Sequence, residues 1–71
     1  MFTIKNITTK GYELLFTFKL NDGKDLFVYQ NVPKEESIYK YIKDSYNIAI
    51  KQMELKGYDS ENIRQLLISA I

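Results

Sequence analysis

At 71 residues the chain has room for one domain, and a domain this short buries only about 60% of the surface its unfolded form exposes, so its core is thin. A hydrophobic content of 45%, with six Tyr and four Phe, suffices for one core and excludes a disordered composition; the lack of Cys and His excludes disulfides, thiolate or imidazole zinc ligation, and both residues as catalytic groups. Ten Lys and Arg against nine Asp and Glu leave a net charge of +1, with Arg64 the one guanidinium, which fits neither a dedicated duplex-DNA binder nor an acidic nucleic-acid mimic.

No apolar run approaches the roughly 20 residues that cross a bilayer, and Met1-Phe2-Thr3-Ile4-Lys5 lacks a basic stretch followed by an apolar signal segment. The expectation is a cytoplasmic protein without membrane contact. Abundant Lys, Ile, Asn and Tyr beside one Arg suit an AT-rich genome, such as those of many Gram-positive bacteria or their phages.

In chain order, Thr9-Lys10-Gly11 reads as a hairpin turn that pairs Thr8 with Tyr12, Asn6 with Leu14, Ile4 with Phe16 and Phe2 with Phe18. The run from Tyr12 to Leu20 then alternates Tyr12, Leu14, Phe16, Phe18 and Leu20 with Glu13, Leu15, Thr17 and Lys19, the mark of a strand with one buried face. A second turn follows at Asn21-Asp22-Gly23. A three-residue loop with Gly23 in the left-handed position pairs Lys19 with Asp25, Phe18 with Leu26, Phe16 with Val28 and Leu15 with Tyr29, joining opposite charges and collecting apolar residues on one face. A two-residue Asp22-Gly23 turn would instead set Lys19 against Leu26 and mix polar with apolar groups.

These readings predict a three-stranded antiparallel meander with residues 12–20 at its centre. Its inner face carries Phe2, Ile4, Leu14, Phe16, Phe18, Leu20, Leu26 and Val28, and its outer face carries Lys5, Leu15, Thr17, Lys19, Phe27 and Tyr29 among others.

Val32-Pro33-Lys34-Glu35-Glu36 resembles a helix start, because proline suits the first turn and the glutamates complement the helix dipole. The helix is predicted to run to Lys56. Ile38, Tyr41, Ile42, Ser45, Ile48, Ala49 and Met53 form its apolar stripe, widened by Tyr39, Tyr46 and Ile50 to an arc of roughly 200°, more than a sheet alone covers. Gly57 suits a left-handed stop with Tyr58 folded back onto Met53, and Asp59 suits the cap of a second helix. Ile63, Leu66, Leu67, Ala70 and Ile71 recur at helical spacing, which predicts a short amphipathic helix from Ser60 onward. The expected fold is therefore α+β in the order βββαα, a single domain over 1–71 with a long and a short helix packed on one sheet face.

Catalytic constellations are missing. Ser37, Ser45, Ser60 and Ser69 have no histidine base, the acidic residues are scattered, and neither Lys10-Gly11 nor Gly23-Lys24 sits in a strand-to-helix phosphate loop. The chain is read as non-enzymatic, with no cofactor and no metal. The sharper possibility is the outer sheet face, where Leu15, Phe27 and Tyr29 with Lys5 and Lys19 form a candidate partner-binding patch. The expectation is a protein-interaction domain, self-associating or regulating a host protein in the manner of a phage product. The alternative is single-stranded nucleic acid stacked on the same aromatics.

Overall fold

The computed structural model describes residues 11–71, which form an α+β unit: strand β1 at Gly11–Leu20, β2 at Asp25–Pro33, helix α1 at Ile38–Leu55 and β3 at Ile63–Ala70. The sheet is antiparallel with spatial order β2-β1-β3. Since β2 and β3 both oppose β1, they run parallel to each other with β1 between them. Helix α1 carries the chain from β2 to the far edge of β1, where β3 pairs.

The β1–β2 hairpin has the register its side chains demand. Leu15 faces Tyr29, Phe16 faces Val28, Phe18 faces Leu26 and Lys19 faces Asp25. The turn closes with the Gly23 amide donating to the Leu20 carbonyl and the Leu20 amide to the Lys24 carbonyl, and Gly23 sits at φ +87°, where a Cβ would be strained. The Asp22 side chain accepts from the Lys24 amide at 2.9 Å and stiffens the loop.

Two expectations about the N-terminal half are corrected. Gly11 opens β1 opposite Pro33, and the rest of the turn expected at Thr9-Lys10-Gly11, together with the strand expected over residues 2–8, lies outside the described residues. The second edge of β1, from Leu14 to Leu20, is taken by β3. Pro33 likewise ends β2 instead of starting the helix. It lies on an edge strand, where its missing N–H costs the ladder nothing, and Val32 is needed in the core, being only 1% exposed.

Helix α1 starts after Ser37, whose hydroxyl accepts from the Tyr39 amide at 3.2 Å. It ends as the sequence requires: Gly57 adopts φ +86°, its amide donates to the Glu54 carbonyl, and the Tyr58 amide donates to the Met53 carbonyl at 2.8 Å. Ser45, Ala49 and Met53 form the buried stripe, flanked by Ile38, Tyr41, Ile42 and Tyr46, against the inner face of β1 and β2. The Tyr46 ring meets Phe18 edge-on at 5.0 Å, and Gln30 donates to the buried Ser45 hydroxyl. No second helix covers the remaining arc: among the described residues, Tyr39, Ile48 and Leu55 of α1 are exposed.

The amphipathic helix expected from Ser60 is instead one 3₁₀ turn, Ser60–Asn62, followed by β3. Asp59 does cap it, accepting from the Glu61 amide at 3.2 Å. The strand wins for two reasons. A helix of this length is marginal on its own, whereas the free edge of β1 offers a row of backbone partners that a helix could not satisfy. The period-two set Leu66, Ile68 and Ala70 also continues the inner face, and Ile68, which has no place on the helical stripe, is 4% exposed. A bulge between Lys19 and Leu20 leaves Arg64 as the extra residue, so that odd-numbered Ile63 pairs with Leu20 and packs on the core.

The strand and helix arrangements demand opposite sensitivities from adjacent residues. Ile68→Ala is expected to cost roughly 2–4 kcal/mol in urea unfolding, as for a buried isoleucine, and Leu67→Ala less than about 1 kcal/mol. The reverse order of the two would signal the helix.

Candidate functional site

Because side chains alternate strictly across a strand, filling the inner face commits every odd-numbered position of β1 and β2 to the other side of the sheet. The two registers fix how those positions line up. Across β2, β1 and β3, Asp25, Lys19 and Gln65 make one row; Phe27, Thr17 and Leu67 the next; Tyr29, Leu15 and Ser69 the third; Asn31 and Glu13 the fourth. The Ile71 amide donates to the Glu13 carbonyl at 3.0 Å and extends the fourth row.

Helix α1 lies on the inner face, and among the described residues no element packs on the outer one. Phe27 is 48% exposed, Tyr29 64%, Leu67 40% and Ile71 54%, while Leu15, at the centre, is half-buried by its neighbours. Four of the seven large hydrophobic residues exposed in the described chain therefore share one surface. Of the residues singled out in the sequence, the structure brings Leu15, Phe27, Tyr29 and Lys19 together, and Lys5 lies outside the described residues. Leu67, Ser69 and Ile71 were missed because their segment reads as a helix. The signal for them was Ile68, left over by the helical stripe and accommodated by a period of two.

Charge on the face is sparse and localised. Lys19 Nζ lies 2.9 Å from Asp25 Oδ1, so the positive end is internally matched. Glu13, at the opposite end of β1, is exposed and has no ion pair with a described residue.

The remaining polar groups serve the fold. Ser37 caps α1, Ser45 is bonded to Gln30, Glu36 accepts from the Tyr41 hydroxyl, and Asp59 caps the 3₁₀ turn. The Glu36 carboxylate raises the Tyr41 phenol above its usual value, and Lys40 stands over the ring. Of the three helix tyrosines, Tyr46 packs on Phe18, Tyr41 is tethered to Glu36, and Tyr39 is open to solvent. Among the described residues there is no group of three or more acidic side chains arranged to hold a metal, and no helix is long and apolar enough to cross a membrane. Protein-family models, curated proteins and solved structures contain no match to this chain.

At the edge of the sheet, the first hairpin is tied to the segment leading into β3. The Tyr58 hydroxyl donates to Asp22 Oδ2 at 2.7 Å, and the Asn21 amide donates to the Asn62 carbonyl at 2.9 Å. The Lys24 amide and then the Tyr58 hydroxyl hold the Asp22 carboxyl below its usual value of 3.8. The native state thus binds fewer protons here than the unfolded chain, so the stabilisation is complete above that value and falls away as pH drops through the lower native pKa. Tyr58→Phe should lower the thermal midpoint at about pH 7, and the difference from wild type should shrink on acidification to about pH 2. A difference independent of pH would mean that the hydroxyl acts through something other than Asp22.

Proposed function

We propose that this chain is a non-enzymatic protein-interaction domain whose contact surface is the open face of the sheet, centred on Leu15, Phe27, Tyr29 and Leu67 with Lys19 and Glu13 at its ends. The observation that carries this reading is the concentration of exposed apolar side chains on the side of the sheet away from α1, with Tyr29 at 64% and Phe27 at 48% exposure. Aromatic anchors bordered by polar groups are the usual anatomy of a protein contact, and exposed apolar clusters of this kind are uncommon unless something meets them. A sheet surface also suits this work: its side chains stand on strands held in register by backbone hydrogen bonds to β1, so little ordering is required when a partner arrives. A cytoplasmic location and a role in self-association or in regulating a host protein belong to the same reading.

Single-stranded nucleic acid is less well supported. Lys19 is held by Asp25, Glu13 lies on the same face, and the chain's net charge is +1, which leaves little to neutralise a phosphate backbone.

Replacing Phe27 and Tyr29 together by Ser should leave the circular dichroism spectrum and the cooperative unfolding transition in place, since neither side chain belongs to the core. The same variant should fail to retain proteins that the wild-type chain captures from its host. Loss of folding in the double variant, or capture unchanged by it, would remove the basis for this surface.

A further inference from the structure

We infer that the occupant of the open sheet face is a second copy of this chain, packed face to face with its strands reversed, so that Phe27 lies over Tyr29 and Lys19 over Glu13 of the other copy. This deepens the interaction-domain reading and rests on it. The case is one of self-complementarity. A symmetric dimer joined through one face needs a two-fold axis lying in the interface, and for sheets packed in the aligned manner that axis runs close to the strands or close to perpendicular to them.

The two axes make different demands on the same rows. An axis along the strands keeps each row at its own level. It would bring Lys19 against Lys19 and Glu13 against Glu13, two like-charge contacts at the ends of an apolar patch. An axis across the strands, passing midway between the Thr17 and Leu15 levels, exchanges the levels. The Phe27 row then meets the Tyr29 row, Thr17 meets Leu15, and Lys19 meets Glu13, with each contact made twice. Glu13, which has no ion pair with a described residue, gains its counter-charge, and Lys19 becomes shared between Asp25 of its own copy and that carboxylate. The roughly 30° rotation usual between stacked sheets changes the angle of these rows but not their order.

Size sets the strength. The face is about 14 Å across three strands and about 20 Å along them, so two copies bury well under the roughly 1,600 Å² of a standard stable interface. The association is therefore weak and concentration-dependent. A net charge of +1 does little to oppose it.

Sedimentation velocity from about 10 µM to about 1 mM tests this directly. The wild-type mass should rise from monomer toward dimer, and Ser at both Phe27 and Tyr29 should abolish the rise. Glu13→Lys, an exposed change that leaves the fold intact by circular dichroism, should weaken the dimer on the order of tenfold, because it sets lysine against Lys19 twice. Mixing Glu13→Lys with Lys19→Glu should recover a mixed dimer that neither variant forms alone as well. A chain that stays monomeric throughout overturns the second copy while leaving the face to be judged by capture. A dimer indifferent to Glu13→Lys overturns the reversed packing, and one indifferent to the Phe27 and Tyr29 changes overturns both readings. Salt-sensitive binding of a random single-stranded oligonucleotide by a monomer would assign the face to nucleic acid instead.

Discussion

Strand β1 has two hydrogen-bonding edges and one buried face, and everything else in the structure answers to satisfying all three. Leu14, Phe16 and Phe18 are completely buried, each large side chain contributing about 1.5–3 kcal/mol by leaving water. Their backbone amides and carbonyls are consequently cut off from solvent and have to be paired within the protein. The hairpin partner β2 fills one edge. The second edge draws the segment after α1 into extended form, and the crossover that delivers it lays the helix across the inner face, closing the core with Ala49 and Met53.

That arrangement also explains why a small domain leaves apolar groups uncovered. One helix is enough to close one side of a three-stranded sheet, and the described residues supply one. The strands that bury even-numbered residues necessarily present Leu15, Phe27, Tyr29 and Leu67 on the other side. In a sheet with no further use, these positions would be expected to carry polar residues, as Thr17 and Ser69 do. The departure from that pattern is concentrated on adjacent strands rather than scattered, and that concentration is the ground for the contact surface proposed above.

What was legible in the sequence was local. The Asn21-Asp22-Gly23 loop and the charge match of Lys19 with Asp25 decide the hairpin register within a dozen residues, and Gly57 with Tyr58 ends the helix within one turn. Four of the five candidate partner residues follow from that register alone. The last strand was not legible, because Ile63 to Ile71 satisfies a helical stripe nearly as well as a strand. The deciding factor is an unpaired edge more than forty residues away in sequence. Pro33 misled for a similar reason: a proline near two glutamates resembles a helix start unless the preceding Val32 is known to pair with Tyr12.

The distance in sequence between β1 and β3 has a consequence for the chain as it is made. Synthesis proceeds at roughly 5–20 residues per second, so the interval between the emergence of Leu20 and that of Ala70 is about 3–10 s. Throughout it, the most deeply buried of the described strands can have at most one of the two neighbours it has in the sheet. An open edge of this kind recruits any extended segment that reaches it, including the same strand on an adjacent nascent chain. Crowded polysomes are therefore the setting in which this protein is most exposed to mispairing, and slowing translation between residues 20 and 63 would lengthen that exposure.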